Sequence, residues 1–293
     1  MPPLIKALRP HQWIKNAIVL AALIFAYGDR NQVLGQEQVL LNLLAVACFC
    51  MISSSIYLIN DAKDVELDRQ HPTKRFRPIA AGQLSIRAAL ITSGLLTLLS
   101  LGTAFAINRD FGLVILAYYV MQLAYTQGLK RIAFVDVTII ALGFVLRALG
   151  GALAISVTIS PWLLLCTMLL ALFLGLCKRR HEKVVLSDLN DQARPSLKRY
   201  SQGNLDAAIL FVAGATVMAY ALYTVAPDTI DKFGSRRLMV TVPLVAAGLY
   251  RYFRLVYQHE EGGRPEKVLL TDPPLILTML AYGVITVTLF LLA

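Results

Sequence analysis

Four polar residues with helical spacing, Asn60, Asp61, Asp64 and Asp68, follow directly after a long apolar stretch. Asp64 is three residues after Asp61 and Asp68 is four after Asp64, so a helix continuing from that stretch would carry the carboxylates on one stripe. Three anions on one stripe repel each other unless a cation lies between them. Mg²⁺ prefers oxygen ligands, commonly takes one or two carboxylates, and completes its shell with water and substrate phosphates. The spacing therefore favours a Mg²⁺ site that also receives a polyphosphate.

The same residues have a simpler interpretation, which is a solvated acidic face beside a membrane. In that case Lys63 and Arg69 would neutralise the acids and no metal would bind. Polar extensions at the end of a membrane span usually show less order in their charges than this stretch does. For that reason we favour the metal site.

The elements that must position these acids are membrane spans. The chain has 293 residues, of which 57% are hydrophobic and only 16% are charged, and its mean hydropathy is +0.63. A soluble domain carries roughly 25% charged residues, and an apolar helix of about 20 residues spans a bilayer. We predict an all-α polytopic membrane protein that forms a single domain over residues 1–293. The predicted spans are 14–28, 38–59, 86–107, 110–127, 133–156, 159–177, 207–226, 237–256 and 273–292.

The distribution of basic residues orients the chain. With the N-terminus inside, 22 of the 28 lysines and arginines lie on the inner side and 5 on the outer side. Such a bias predicts a protein of the inner (plasma) membrane whose N-terminus and two longest polar loops, after spans two and six, face the cytoplasm. It also accounts for the net charge of +10, so we expect no nucleic-acid partner.

The pattern Asn60-Asp61-x-x-Asp64-x-x-x-Asp68 resembles the first aspartate-rich motif of the UbiA superfamily of intramembrane transferases. The resemblance covers essentially the whole chain. It implies nine transmembrane helices in a bundle with a central cavity, a lateral opening to lipid, and a Mg²⁺-bound diphosphate. It also implies that Asp61, Asp64 and Asp68 bind Mg²⁺ and form the catalytic set with Asn60. The nine spans counted from hydropathy agree with this expectation.

The loop after the sixth span departs from most of the superfamily, whose members carry a second acidic motif, DxxxD, at this place. Here the acids are Glu182, Asp188 and Asp191, and no pair has that spacing. The loop opens instead with three consecutive cations that begin at Lys178. A cationic site for a ribose phosphate or a lipid phosphate fits this loop better than a second metal pair.

Three further segments, "LRPHQWIKN", "YTQGLKRIAFVDV" and "KRRHE", resemble the decaprenyl-phosphate phosphoribosyltransferase branch of the superfamily. This resemblance implies Mg²⁺-dependent transfer of a 5-phosphoribosyl group from phosphoribosyl diphosphate (PRPP) to a polyprenyl (decaprenyl) phosphate. The product would feed lipid-linked arabinose donors for cell-wall polymers. The expected partners are PRPP, the lipid phosphate and the membrane, and the sequence leaves a homo-oligomer open.

The ribose 5-phosphate and the lipid phosphate would both need cationic partners. Taken singly, each basic candidate could equally be an orientation signal or a headgroup contact. Asp136 could orient Lys130 or a ribose hydroxyl, or it could be a helix-start acid that interacts favourably with the helix dipole. Arg147 lies within a span, where a charge is costly, and could hold an anion or form a buried pair without a catalytic part. The candidate substrate-binding residues are Lys15, Lys74, Arg75, Arg77, Tyr125, Lys130, Asp136, Arg147, Lys178, Arg179 and Glu182.

Two other functions remain open at this stage. A prenyltransferase that joins a prenyl diphosphate to an aromatic acceptor would share the fold and the first motif, but the missing DxxxD counts against it. A cation-coupled transporter would place its ion site near the bilayer midplane and show internal repeats. The acids here lie at a span's inner end, and no clear repeat is visible.

Overall fold

The computed structural model describes residues 2–29, 32, 34–186, 197, 199–258, 263 and 265–291. These residues form α-helices and short 3-10 segments, and no strand occurs among them. The predicted all-α class is therefore confirmed. The chain divides into two compact units, each described by itself below, and the prediction of a single domain over 1–293 stays a prediction.

The first unit comprises Met1–Leu23, Gly35–Leu129 and Leu146–Val157. It contains the beginning of helix α2 (Ala21–Tyr27) and the second half of helix α7 (Val135–Ala154), and its other helices lie wholly within it. An 11-residue 3-10 segment, Pro10–Leu20, precedes α2. Shorter ones, Lys74–Phe76 and Leu129–Arg131, follow the helices α4 (Val65–Gln70) and α6 (Arg109–Gln127). The helices are α1 (Pro3–Leu8), α2 (Ala21–Tyr27), α3 (Gln36–Lys63), α4 (Val65–Gln70), α5 (Ile86–Ile107), α6 (Arg109–Gln127) and α7 (Val135–Ala154).

Side-chain caps and small polar residues fix the packing of α3, α5 and α6. The hydroxyl of Ser85 accepts a hydrogen bond from the amide of Ala88 at the start of α5 (3.2 Å), which satisfies an amide that has no partner within the helix. Between α3 and α5, the hydroxyls of Ser55 and Ser93 are 2.8 Å apart, and Ser100 donates to the carbonyl of Cys48 at 2.9 Å. Small residues at such positions let two helices approach closely. This packing holds α3, whose C-terminal end carries the acidic motif.

The second unit comprises Ile24–Leu34, Lys130–Val145 and Thr158–Ala293. Four of its helices begin at a proline. Proline suits this position because an amide in the first helical turn has no acceptor within the helix, so its absence costs no hydrogen bond. Its core is built from buried aromatic and aliphatic side chains such as Phe173, Tyr252 and Ile209. A 3-10 segment, Arg237–Thr241, precedes α11. The helices are α8 (Pro161–Leu186), α9 (Gln202–Val225), α10 (Pro227–Phe233), α11 (Val242–Gln258), α12 (Pro265–Thr271) and α13 (Pro273–Leu291).

Seven helical stretches in the described part of the chain are long and apolar enough to cross a membrane. They expose large apolar side chains, among them Leu98, Phe211 and Leu277, as expected of surfaces that contact lipid. The chain is thus a multi-pass membrane protein, although the predicted count of nine spans is not confirmed exactly. Of the other two predicted spans, 14–28 falls on the short segments Pro10–Leu20 and Ala21–Tyr27, and 110–127 falls on α6. The seven stretches are Gln36–Lys63, Ile86–Ile107, Val135–Ala154, Pro161–Val184, Gln202–Val225, Arg237–Gln258 and Pro273–Leu291.

Candidate functional site

The acidic motif lies where α3 passes into α4, and the expectation of one continuous helix is wrong at this point. α3 ends at Lys63 and α4 begins at Val65, because Asp64 between them has φ −91° and ψ 10°, outside the helical region. The hydrogen-bond ladder nevertheless crosses the break. The amide of Asp64 donates to the carbonyl of Asn60 at 2.9 Å, and that of Asp68 donates to the carbonyl of Asp64 at 2.8 Å. The break therefore interrupts the helical dihedrals but leaves Asp61 and Asp68 on one side, where both contact Arg77.

Asp61 and Asp68 are both buried, and one guanidinium joins them. Their residues are 2% and 3% exposed. Nη1 of Arg77 lies 3.0 Å from Oδ1 of Asp61 and 2.7 Å from Oδ2 of Asp68. A solvated acidic face does not describe these two residues. That interpretation fits Glu66 instead, since its exposed side chain pairs with the exposed Arg69 at 2.9 Å.

Arg9 completes this cluster, and the sequence analysis missed it. Its Nη2 lies 2.5 and 2.7 Å from the two carboxylate oxygens of Asp61, although 52 residues separate the two in sequence. The guanidinium also lies over the ring of Tyr57, 4.8 Å from the ring centroid. Arg9 ends α1 with φ 56° and ψ 60°, a left-handed conformation that costs a non-glycine residue on the order of 1 kcal/mol. The available signal was its place in "LRPHQWIKN", from which only Lys15 was chosen.

We call Arg9, Asp61, Asp68 and Arg77 the tetrad. Its donor chemistry fits Mg²⁺, because two buried carboxylates face one shared cation position, which Arg77 occupies. Mg²⁺ commonly binds through one or two carboxylates and takes its other ligands from water and phosphate. In the part of the chain that the structure describes, no three His, Cys, Asp or Glu side chains are gathered to share a metal. Asp64 and Asn60, both half-buried, stay predicted members of the site.

The other predicted residues of the first unit lie at different depths. Lys74 and Arg75 belong to the 3-10 segment just before Arg77, but Arg75 is exposed and its guanidinium lies over the ring of Phe76 at 4.9 Å. Lys15 is half-buried in the segment Pro10–Leu20, and Tyr125 is half-buried in the last turn of α6. The structure thus brings Arg77 to the acids, whereas it turns Arg75 towards the surface.

Arg147 is buried and bonded to neutral groups. Its Nε donates to Oδ1 of Asn16 at 2.7 Å, and its Nη2 donates to the hydroxyl of Tyr118 at 2.7 Å. Asn16 in turn donates to Sγ of Cys50 at 3.1 Å. These bonds tie the 3-10 segment Pro10–Leu20 to α6 and α7, so Arg147 has a structural part. Its predicted contact with an anion stays a prediction.

The second unit holds another buried carboxylate, Asp136, in the first turn of α7. Nε of Arg179 lies 3.0 Å from its Oδ2, and the hydroxyl of Tyr200 donates to its Oδ1 at 2.6 Å. Oδ1 also accepts from the amide of Val137 at 2.9 Å, as a helix-start acid would. Arg179 pairs with Glu182 as well. Asp136 and Arg179 are 0% and 1% exposed, so in this structure they hold each other rather than present themselves to a phosphate.

Tyr200 is the second functional candidate that the sequence analysis missed. Its hydroxyl accepts from the amide of Phe134 at 2.6 Å while it donates to Asp136, and the two rings lie edge to face with centroids 4.9 Å apart. Burial and then the hydrogen bond to the Asp136 carboxylate raise the pKa of the Tyr200 hydroxyl, so it stays protonated and donates at neutral pH. Lys183 donates to the carbonyls of Leu197 and Tyr200, which anchors this residue to α8.

The remaining predicted residues of the second unit are Lys130 and Lys178. Both are half-buried, Lys130 just before α7 and Lys178 next to Arg179 on α8. Two acids of the loop that departs from the DxxxD pattern, Asp188 and Asp191, lie outside the described residues.

Comparison with known proteins identifies relatives over nearly the full length. The UbiA prenyltransferase family matches residues 17–271. The decaprenyl-phosphate phosphoribosyltransferase of Mycolicibacterium smegmatis is 36% identical over 285 residues, which are 95% of this chain and 89% of that protein. The enzyme of the same name from Corynebacterium glutamicum is 38% identical over 283 residues, with 95% and 84% covered.

A solved structure shows a similar fold. The UbiA homologue of Archaeoglobus fulgidus bound to GPP and Mg²⁺ superposes with a TM-score of 0.71 at 20% sequence identity. The match covers 98% of this chain and 96% of that one. At this level of identity the likeness concerns the fold alone.

Proposed function

The chain belongs to the UbiA prenyltransferase family, as its motifs predicted, and we propose that it transfers a 5-phosphoribosyl group from PRPP to a polyprenyl phosphate. The observation that carries this proposal is the identity of 36% and 38%, over 95% of the chain, to two decaprenyl-phosphate phosphoribosyltransferases. The lipid is then decaprenyl phosphate or a relative of it, and the product supplies arabinose donors for cell-wall polymers. The protein lies in the inner membrane with its N-terminus and the acidic motif on the cytoplasmic side.

In this reaction the bond between the anomeric carbon and the diphosphate oxygen breaks, and the electron pair leaves with the diphosphate. An oxygen of the lipid phosphate forms the new bond to the anomeric carbon. The barrier is mainly charge separation, since the ribose acquires oxocarbenium character. The lipid phosphate is already ionised near neutral pH, so the site needs cations more than it needs a general base.

Asp61 and Asp68 would hold Mg²⁺, with Asp64 as the predicted third ligand and Asn60 orienting the diphosphate or a ligand carboxylate. Bound there, the ion would stabilise the charge that develops on the leaving diphosphate. The exposed or half-buried basic side chains are suited to the other phosphates. These are Lys15, Lys74, Arg75, Lys130 and Lys178. Within the second unit, Asp136 and Glu182 pair with Arg179 and would thereby help to position Lys178, the residue before it on α8.

The deciding experiment compares donors. Purified protein with Mg²⁺ is offered labelled PRPP with polyprenyl phosphate, or a prenyl diphosphate with an aromatic acid. We expect diphosphate release and a labelled lipid only with the first pair. Activity only with the second pair would establish the prenyltransferase alternative, and metal-dependent transport without diphosphate release would indicate a transporter.

Alanine variants then test the acids. Asp61→Ala, Asp64→Ala and Asp68→Ala should each lower transfer by at least about 100-fold, a loss of roughly 3 kcal/mol of transition-state stabilisation. Glu66→Ala is the matched control, because Glu66 lies in the same segment but its side chain is 76% exposed. Near-normal rates in all three aspartate variants would remove the metal role.

A further inference from the structure

The four side chains of the tetrad balance one another's charge. Two carboxylates, Asp61 and Asp68, meet two guanidinium groups, Arg9 and Arg77, through contacts of 2.5 to 3.0 Å. The carboxylate side chains are 2% and 4% exposed, whereas the two arginine side chains are 21% and 25% exposed. The acids are therefore fixed in the interior, and the arginines reach them from the side of the solvent.

A divalent cation alone would enter this arrangement at a cost. Arg9 covers both oxygens of Asp61, and Arg77 takes one oxygen from each acid, so a metal must displace them. The metal, the two carboxylates and the two displaced guanidinium groups would together carry a net charge of +2 in a partly buried site, and Asp64 as a third ligand would reduce it only to +1. Uncompensated charge at such a place is strongly unfavourable, because the surroundings screen it less than water does.

A metal that arrives with a diphosphate removes this cost. Diphosphate oxygens can receive the guanidinium groups that the carboxylates release, and the planar fork of arginine matches phosphate oxygens well. The negative charge of the diphosphate compensates the added metal charge. Tyr57 retains Arg9 nearby during this exchange, because its ring holds the guanidinium independently of Asp61 and lies one helical turn before it.

We propose that Arg9 and Arg77 are internal counter-ions that exclude free divalent metal from Asp61 and Asp68 and pass to the diphosphate when the two ligands bind together. This inference rests on the proposed diphosphate-dependent function. It assigns Arg9 and Arg77 a part in that function, and it requires metal and diphosphate to bind together. Metal and diphosphate binding are then positively coupled, and by reciprocity each strengthens the other to the same degree.

Mn²⁺ binding tests this coupling without turnover. Protein in lipid nanodiscs is titrated with Mn²⁺ alone and with Mn²⁺ plus inorganic diphosphate. Electron paramagnetic resonance distinguishes the aqueous ion, its soluble diphosphate complex and the protein-bound ion. In the wild type, diphosphate should tighten Mn²⁺ binding at least about tenfold. In Arg77→Gln, Mn²⁺ alone should bind at least about fivefold more tightly than in the wild type, and the gain from diphosphate should shrink.

The controls separate charge removal from damage to the fold. Arg69→Gln deletes a guanidinium from the same segment but outside the tetrad, and should behave like the wild type. Arg77→Lys keeps the positive charge and should keep most of the exclusion of free Mn²⁺. If Arg77→Gln and Arg9→Gln were both to bind Mn²⁺ alone no more tightly than the wild type, the counter-ion role would be disproved. That result would leave PRPP-dependent transfer intact, whereas a failed donor comparison would overturn the proposed function itself.

Discussion

Removing a single hydroxyl should loosen the start of α7. In Tyr200→Phe the ring is kept, so the edge-to-face contact with Phe134 remains, but two hydrogen bonds of 2.6 Å are lost. The fully buried Asp136 loses a charge-assisted donor, which costs about 1.5–3 kcal/mol, and the amide of Phe134 loses its acceptor, which costs about 1 kcal/mol where water can partly replace it. Local opening of this region should therefore become easier by about 2.5–4 kcal/mol.

Hydrogen–deuterium exchange measures this opening directly. Since 1.4 kcal/mol corresponds to a factor of ten, amides at residues 134–138 should exchange at least about 60-fold faster in Tyr200→Phe. Tyr250→Phe is the matched control, because it removes the same hydroxyl from a tyrosine that is 64% exposed. An exchange rate within threefold of the wild type would show that the Tyr200 hydroxyl does not hold the carboxylate. It would also remove Tyr200 from the candidate site.

Three further outcomes follow from the structure. Burial lowers the pKa of His71 below its ordinary 6.5. The stability that its neutral ring gives to loop 71–77 is therefore present above about pH 6.5 and is lost as the pH falls. Amide exchange, corrected for intrinsic pH effects, should show the loop opening at low pH in the wild type, and His71→Gln should not show this pH dependence. Gly151→Ala should abolish folded protein in size-exclusion chromatography, because its Cβ would lie 2.1 Å from the carbonyl oxygen of Val19, whereas Gly94→Ala, with open space, should be tolerated. Lys178→Ala should raise the Michaelis constant for PRPP or the lipid phosphate several-fold, and unchanged constants for both would exclude the residue from binding.

Hydropathy and spacing predict the long helices well because each depends on a local pattern. The predicted spans 38–59 and 273–292 correspond to Gln36–Lys63 and Pro273–Leu291 within a few residues. The shared face of the acids is also predictable from a local pattern, since residues three and four apart fall on one side of a helix. The helix break at Asp64 was not predictable from periodicity, because one residue outside the helical region leaves the hydrogen-bond ladder and the spacing intact.

The partners of the acids could not be predicted, because they come from distant parts of the sequence. Arg9 reaches Asp61 across 52 residues and Tyr200 reaches Asp136 across 64. Composition and spacing carry no information on such contacts. The basic residues after span two included Arg77 among the candidates, but the sequence could not distinguish Arg77, which contacts both acids, from the exposed Arg75 two positions earlier.

Burial of the cation distinguishes the two arginine–aspartate clusters. Arg179 is as inaccessible as its partner Asp136, with side-chain exposures of 2% and 0%, so breaking that pair would leave a charge in the protein interior. Arg9 and Arg77 keep about a fifth to a quarter of their side chains exposed, so an arriving anion can reach them while they still hold the acids. The buried pair of Arg179 and Asp136 suits a fixed structural support, whereas the partly exposed Arg9 and Arg77 suit an exchange of ligands. On this proposal, the same two residue types build a scaffold in one unit and a diphosphate-responsive site in the other, and the difference is whether the arginine of the pair is exposed to solvent.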